Sequence, residues 1–152
     1  MSDERTITFT NALRQAGLRL TPQRLAICRA LANHPSHPTA AELFEQLRAD
    51  FPTLSLATVY TTLSTLLALG LIHDLGSAGD GTLHYDPDTE PHVNLICTRC
   101  HQISDLGDET LAAVSQRVAR RSGYEILGAR IAYYGICPTC AKHSSRGASG
   151  RR

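Results

Sequence analysis

The chain has 152 residues, an ordinary hydrophobic content of 42%, no tryptophan and a net charge of +1. This length suits one medium domain or two small ones, and small domains often need a metal ion or a partner chain for stability. No apolar run approaches the roughly 18 residues of a membrane-spanning helix, and the polar N-terminus does not resemble a secretory signal. These features argue against a membrane protein, and we expect a cytoplasmic one.

Helices are predicted in the first half of the chain from apolar periodicity and capping signals. Apolar residues at helical spacing predict a short first helix over residues 8–16. Thr21 followed by Pro22 is typical of the start of a second helix. Thr39 with Glu42 three residues later predicts a capping box that begins a third helix.

A fourth helix and a hairpin complete this half. Ser55 opens an apolar-striped segment that runs to Leu69 and is closed by a glycine, which predicts a helix. Residues 71–75 and 82–86 flank a glycine-rich turn and predict a β-hairpin. This order of elements predicts a winged helix-turn-helix domain over residues 1–86.

The second half predicts a separate α+β domain. The segment 87–91, with two prolines and two acids, is the predicted hinge, and residues 92–142 form the second predicted domain. The tail 143–152 is rich in Ser, Gly and Arg and is predicted to be disordered. The elements predicted in the second domain are strands at 92–97 and 102–106, a helix at 108–121 and a strand at 124–136.

Four of the five cysteines form two CxxC pairs, Cys97 with Cys100 and Cys137 with Cys140. In a reducing cytoplasm such pairs indicate metal binding better than disulfides. Two CxxC turns supply the four thiolates of a closed tetrahedral zinc site, so we predict a structural and not a catalytic ion. A thioredoxin-like redox pair or unligated thiols are the alternatives, and neither explains two pairs. Cys28, on an apolar helix face, is predicted to be a small buried hydrophobe.

Several motifs occur together in the order Arg19-Leu-Thr-Pro-Gln-Arg24, His37-Pro-Thr-Ala, Ser55-Leu-Ala-Thr-Val-Tyr60, Gly70-Leu-Ile, Asp86, His92, Asp105 and both CxxC pairs. Over about residues 11–142 this order resembles the ferric uptake regulator family. The resemblance implies a homodimeric, metal-responsive transcriptional repressor with a C-terminal dimerisation domain, acting on a palindromic operator in double-stranded DNA.

For the DNA-binding half, the resemblance implies that the fourth helix enters the major groove. Tyr60 would then lie near bases and Arg19 and Arg24 near phosphates, and the chemistry agrees because hydroxyls and methyls suit base edges while arginine neutralises phosphate. The alternative is that Tyr60 is a core residue, Thr61 is a solvated helix position and the arginines are solvated surface residues. The predicted DNA-contacting set is Arg19, Arg24, Thr58, Tyr60, Thr61 and Thr62.

The resemblance also implies a second, regulatory metal site formed by His37, Asp86, His92 and Asp105. Two imidazoles and two carboxylates suit Fe²⁺ or Mn²⁺ better than an ion that prefers thiolates. Where iron- and peroxide-sensing members usually have His-x-His, this chain has His92-Val93-Asn94. A fifth ligand is therefore open: the Asn94 amide oxygen, a water, or one of His84, Glu90 and His101, unless the site is four-coordinate.

Asp105, in place of Glu, resembles the peroxide-sensing branch, which implies that iron at the site promotes oxidation of His37 and His92. The alternative is an iron-, manganese- or zinc-uptake regulator without peroxide sensing, although no cysteine between Cys28 and Cys97 is available for a zinc sensor. An enzyme is disfavoured because the predicted ligands span a hinge and no nucleophile or general-base motif is found. The helix-turn-helix order argues against a zinc-ribbon adaptor without a DNA role.

Overall fold

The computed structural model describes residues 2–147. The chain divides into two compact units. The N-terminal unit comprises the described residues up to 76 together with 82–89, and the C-terminal unit comprises 77–81 together with the residues from 90 onward. The elements in chain order are α1 (Ser2–Gln15), α2 (Pro22–Ala32), α3 (Ala40–Leu47), α4 (Leu56–Ala68), β1 (His73–Asp74), β2 (Tyr85–Asp86), β3 (Val93–Cys97), β4 (Ile103–Leu106), α5 (Thr110–Ser122), β5 (Ile131–Gly135) and α6 (Pro138–Gly147).

Side-chain caps fix the starts of α2, α3 and α4. Thr21 Oγ1 accepts a hydrogen bond from the Arg24 amide at 3.2 Å, and Ser55 Oγ accepts one from the Thr58 amide at 3.1 Å. At α3 the capping box is complete, because Thr39 Oγ1 accepts from the Glu42 amide and the Glu42 carboxylate accepts from the Thr39 amide. Each cap satisfies a helix N–H that has no partner within the helix. The predicted starts of these three helices are confirmed.

The four helices enclose one apolar core in the N-terminal unit. The side chains of Leu13, Ile27, Leu31, Leu43 and Leu63 are fully buried in it. Tyr85 of β2 also packs there, so the hairpin β1–β2, here called the wing, is anchored to the helices. Together α2, α3, α4 and the wing form the predicted winged helix-turn-helix. Within residues 2–147, no helix is both long and apolar enough to span a membrane.

The C-terminal unit is built on a three-stranded sheet of order β4-β3-β5. The central strand β3 pairs antiparallel with β4, where Asn94 lies opposite Asp105, and parallel with β5, where Cys97 lies opposite Gly135. These registers place the end of β3 beside the end of β5, and both CxxC motifs follow from those ends. The α+β fold class is confirmed.

Three predicted boundaries are wrong. Helix α1 begins at Ser2 instead of residue 8, and the acids Asp3 and Glu4 in its first turn interact favourably with the helix dipole. Residues 124–130 are not a strand, because β3 offers only five residues to pair with β5. Helix α6 extends over 143–147, which were predicted to be disordered, and 148–152 lie outside the described residues. In addition, the wing tip 77–81 groups with the C-terminal unit and not with the N-terminal one.

Candidate metal centres and DNA-binding helix

The four cysteines of the CxxC pairs converge on one point. The Sγ atoms of Cys97, Cys100, Cys137 and Cys140 all lie within 4.8 Å of one another. The Sγ atoms of Cys100 and Cys137 are 3.8 Å apart. Zinc–sulfur bonds of about 2.3 Å in a tetrahedron give a sulfur–sulfur separation of about 3.8 Å. The cluster therefore has the donor set and the spacing of a closed zinc site.

Backbone N–H donors stabilise a thiolate in this cluster. The amides of Cys100, Cys137 and Arg99 donate to the Cys97 sulfur and lower the pKa of Cys97 to about 5. Cys140 behaves oppositely, since hydrogen bonding to the sulfurs of Cys137 and then Cys100 keeps its proton and raises its pKa to about 12. Four thiols this close cannot all ionise unless a cation balances the charge. A divalent ion supplies that charge, and zinc fits the four sulfur donors.

The N-terminal unit holds a buried pair formed by His37 and Asp86. The His37 Nε2 and Asp86 Oδ1 atoms are 3.8 Å apart, and both side chains are almost fully enclosed. The backbone around them is tied to the wing, because His84 Nδ1 donates to the His37 carbonyl and the Tyr85 amide donates to the Pro38 carbonyl, both at 2.9 Å. The wing therefore sets the position of His37 relative to Asp86.

The C-terminal unit holds a second pair formed by His92 and Asp105. The His92 Nε2 and Asp105 Oδ1 atoms are 3.7 Å apart. His92 Nδ1 donates to the Glu90 carbonyl at 2.8 Å, so in the neutral imidazole Nε2 is the nitrogen that carries the lone pair. Asn94 Nδ2 lies 3.1 Å from that Nε2 atom. Residues 92 and 94 share one face of the sheet, and the β3–β4 register sets Asp105 beside Asn94.

Each predicted regulatory ligand thus has a carboxylate or imidazole neighbour within its own unit. Whether both pairs bind one ion stays a prediction. His84 and His101, two candidates for a fifth ligand, each direct Nδ1 to a backbone carbonyl, of His37 and Ala78 respectively. The positioning role of His84 and that of the Glu90 carbonyl were missed by sequence reasoning. Contacts to backbone carbonyls leave no signal in residue type, so no motif pointed to them.

The exposed face of α4 carries the predicted DNA-contacting hydroxyls. Tyr60 is 47% exposed, so the alternative that it is a core residue is wrong. Thr61 is exposed and Thr58 is half-buried. Thr62, in contrast, is fully buried, and its hydroxyl donates to the Thr58 carbonyl at 2.8 Å. The predicted base contact by Thr62 is therefore wrong, because i, i+3, i+4 spacing places it with Val59 and Leu63 on the core face.

The two arginines predicted to lie near phosphate are neighbours. Arg19 is exposed, and Arg24 is half-buried and donates from Nη1 to the Arg19 carbonyl at 2.6 Å. This bond holds the Arg24 guanidinium near the start of α2. Their contact with phosphate stays a prediction.

Comparison with known proteins shows the family. A sequence model described as the ferric uptake regulator family matches residues 15–134. The peroxide-responsive repressor PerR of Staphylococcus aureus is 36% identical over 129 residues, which cover 85% of this chain and 86% of that protein. The Campylobacter jejuni peroxide stress regulator is 31% identical with a TM-score of 0.70, covering 86% of this chain and 97% of that one. The Helicobacter pylori ferric uptake regulator Fur shares the fold at 18% identity, with a TM-score of 0.74 and coverage of 93% and 94%.

The family match spans the winged helix, the sheet and the first CxxC motif, and the S. aureus relative matches most of its own length. The chain belongs to the ferric uptake regulator family.

Proposed function

We propose that this chain is a homodimeric, metal-dependent transcriptional repressor that binds a palindromic operator and leaves it after peroxide oxidises His37 and His92. Family membership supports metal-responsive DNA binding in general. The peroxide response is supported by the S. aureus relative, which is a peroxide-responsive repressor at 36% identity. The zinc site has a separate, structural role in this proposal.

The observation that carries the proposal is a His–Asp pair in each compact unit. His37 with Asp86 and His92 with Asp105 offer imidazole nitrogens and carboxylate oxygens at ligand-like separations. This donor set suits Fe²⁺ and Mn²⁺. We propose that both pairs bind the same ion, so that the metal fixes the arrangement of the units that the operator requires. Operator binding would then depend on the metal, although the residues proposed to bind it are not those proposed to contact DNA.

The surface of α4 supports the DNA-binding part of the proposal. Tyr60, Thr61 and the half-buried Thr58 offer hydroxyls and methyl groups to base edges. Arg19 and Arg24 lie outside this helix and would neutralise phosphates. A winged helix of this kind places one recognition helix in one major groove, so a two-fold operator needs two copies.

Exposed apolar side chains of the C-terminal unit support the homodimer. None of the residues of α5 is buried within one chain, and Val118 on this helix is 47% exposed. Tyr133 and Tyr134 of β5 are exposed as well. Apolar surface of this extent in one unit marks a protein–protein interface, and a second copy is the occupant that the operator symmetry requires.

In the peroxide response, an imidazole C–H of His37 or His92 would become C–OH by taking one peroxide oxygen, and the other oxygen would leave as water. The ring would supply the two electrons overall, and the chemistry that bound iron would supply is cleavage of the O–O bond. The chain's own part is to hold His37 and His92 close enough to be oxidised in place of other residues. An oxidised imidazole is a poorer ligand, so metal and then DNA would be released. The alternative is an iron-, manganese- or zinc-uptake regulator without peroxide sensing, and it is favoured by Asn94, which removes one histidine from the site.

The test is operator binding by the zinc-replete chain, using duplexes selected from a random library in the presence of Mn²⁺. Affinity is measured with Mn²⁺, Fe²⁺, Zn²⁺ and no added metal, before and after peroxide. We expect stimulation by Mn²⁺ and Fe²⁺, loss after peroxide only with Fe²⁺, and added oxygen at His37 and His92 in peptide mass spectra.

His37→Ala should keep zinc content and fold but lose metal stimulation, with the exposed neighbour variant Ser36→Ala as the matched control. Unchanged stimulation in His37→Ala would remove this residue from the site. Metal-stimulated binding that survives peroxide, with no oxygen at either histidine, would favour the uptake-regulator alternative.

A further inference from the structure

Asn94 carries a buried acceptor that nothing in the described part of the chain satisfies. The side chain is only 2% exposed, and its Oδ1 atom has no hydrogen-bond partner among residues 2–147. A buried amide oxygen without a partner loses its hydration and gains nothing in return. Such an atom in a native fold calls for an explanation, and an ion bound beside His92 and Asp105 is the one that the neighbouring donors make specific.

The other end of the same amide is occupied. Asn94 Nδ2 lies 3.1 Å from His92 Nε2, and His92 Nδ1 already donates to the Glu90 carbonyl. In the neutral imidazole the Nε2 atom therefore accepts, and the Asn94 N–H group points at its lone pair. That lone pair is the one with which His92 would bind a metal, so the amide caps the ligand atom.

We infer that Asn94 is a reversible cap on the regulatory site and, once rotated, an oxygen ligand that makes the site discriminate against zinc. This inference rests on the proposed function, because it assumes that His92 and Asp105 bind the regulatory ion. Rotation of the amide about its last side-chain bond exchanges nitrogen and oxygen. The oxygen then faces the same space as His92 Nε2 and the Asp105 carboxylate, which lie 3.7 Å apart.

The two amide orientations suit opposite states of the site. With no cation, an oxygen facing the Nε2 lone pair is repelled, and the N–H cap is favoured. With a cation, the N–H group is repelled, and the oxygen gains the partner that it lacks. Metal binding must break the Asn94–His92 hydrogen bond, which lowers the affinity for every ion.

The change from imidazole to amide oxygen also alters selectivity. Affinity rises from Mn²⁺ through Fe²⁺ toward Zn²⁺, and nitrogen donors favour Zn²⁺ over Mn²⁺, whereas oxygen donors suit Mn²⁺. A site that has Asn94 in place of a histidine therefore loses more affinity for Zn²⁺ than for Mn²⁺. In a chain that holds zinc in its cysteine cluster, this difference keeps zinc from the regulatory site.

The experiment titrates Mn²⁺ and Zn²⁺ separately into the zinc-replete chain and compares the ratio of the two dissociation constants. Asn94→His should raise Zn²⁺ affinity by about tenfold or more and Mn²⁺ affinity by less, so that discrimination falls. Asn94→Ala removes the cap and the oxygen ligand together, so it should bind Mn²⁺ more weakly than Asn94→Asp, which removes only the cap. Asn94→Asp, which has nearly the same shape, keeps an oxygen and removes the N–H cap, so Mn²⁺ should bind more tightly.

A second measurement reports the cap without any activity. The side-chain amide resonances of Asn94 in ¹⁵N spectra should shift when Zn²⁺, a diamagnetic ion, occupies the site, while other asparagine side chains stay unchanged. Ser104→Ala is the matched control, since this exposed neighbour of Asp105 projects to the other face of the sheet. It should leave both affinities and the amide resonances unchanged.

The failures of the two proposals are distinguishable. If His92→Ala abolishes Mn²⁺ binding but the Asn94 variants all keep the wild-type affinities, Asn94 is a bystander and this inference is wrong while the proposed site stands. If His92→Ala binds Mn²⁺ like wild type, the proposed regulatory site is wrong and the inference falls with it. Circular dichroism and zinc content identify any variant that does not fold. If Asn94→His or Asn94→Ala does not fold, the Mn²⁺ affinity of Asn94→Asp is the measurement that tests the inference.

Discussion

In the N-terminal unit, helices α1 to α4 and the wing pack around one apolar core that includes Phe9, Leu43 and Leu63. In the C-terminal unit, α5 has no buried residue, and the buried apolar side chains of the sheet are few, among them Val93, Ile96 and Ile103. A unit that buries so little apolar surface needs another source of stability. The cysteine cluster and a second copy of the chain are the sources that its residues offer.

The two kinds of metal centre differ in their donor atoms. The cysteine cluster has four donors of one type and leaves no open position, so its ion would stabilise a fold. Each His–Asp pair offers nitrogen and oxygen donors, which suit a more labile ion. Under the proposed function, one metal ion would support folding and the other would support the response.

Loss of zinc should have the largest effect on stability, and this effect should fall on the C-terminal unit. Cys140→Ser leaves three thiolates, and for structural zinc sites the binding energy that is also folding energy is of order 10 kcal/mol. We expect the C-terminal unit to unfold and the dimer to dissociate, while the N-terminal unit keeps its helices. Zinc content, size-exclusion chromatography and hydrogen exchange at the amides of α4 measure these three outcomes.

Cys28→Ala is the matched control for Cys140→Ser. Cys28 is fully buried in the N-terminal core, and burial raises the pKa of its thiol to about 12, as for an inert core residue. The control should retain zinc and dimer. A zinc-free Cys140→Ser protein that remained a stable dimer would show that the C-terminal unit does not depend on the ion.

Two apolar substitutions test, with smaller expected effects, whether the two units are stabilised differently. Leu63→Ala should destabilise the N-terminal unit by about 2–5 kcal/mol, because it leaves a cavity in a closed core. Val118→Ala, at a half-exposed position of α5, should change monomer stability by less than about 0.5 kcal/mol and instead weaken the dimer. Urea unfolding followed by hydrogen exchange, and sedimentation over a concentration series, separate the two effects. Equal losses of protection in both variants would contradict the division into differently stabilised units.

Features with local causes were predictable from the sequence. The starts of α2, α3 and α4 follow from Thr21, Thr39 and Ser55, since a cap requires only residues three positions apart. The cysteine cluster was equally predictable, because the spacing within each CxxC pair already indicates one half of a tetrahedral site. The burial of Thr62 was also predictable, because helical spacing places it on the same face as Val59 and Leu63. Its polar side chain led instead to the wrong prediction of a DNA contact.

Features that depend on partners distant in sequence were not predictable. The length of β5 is set by the five residues of β3, and nothing within residues 124–136 marks that limit. The hydrogen bond from Asn94 to His92 depends on the rotation of His92 toward the Glu90 carbonyl. The proximity of Asp105 depends on the β3–β4 register. The sequence therefore indicated the residue types of the proposed ligands but not the contact between Asn94 and His92.

The smallest expected effect concerns the start of α5, where the C-terminal unit differs from the capped helices of the N-terminal one. The N-cap residue Glu109 makes no side-chain capping bond. Asp108 takes that role, because its Oδ1 atom accepts from the Thr110 hydroxyl at 2.6 Å and from the Thr110 amide at 2.8 Å. These two hydrogen bonds, the hydroxyl first, lower the pKa of the Asp108 carboxyl below its ordinary value of 3.8.

The sign of the pH dependence follows from that direction. A carboxyl with a lowered pKa in the folded state stabilises it fully above the ordinary value of 3.8, and the contribution is lost as the pH falls through the lower folded-state pKa. Thr110→Val removes the hydroxyl and keeps the amide, so the Asp108 pKa should rise only part of the way toward 3.8. Carboxyl ¹³C chemical shifts across an acid titration measure it, and Thr65→Val, which removes a hydroxyl from α4, is the control. An Asp108 pKa that is the same in wild type and in Thr110→Val would mean that the hydroxyl bond does not stabilise the charged carboxylate, which would leave the Thr110 amide as the bond through which Asp108 supports the start of α5.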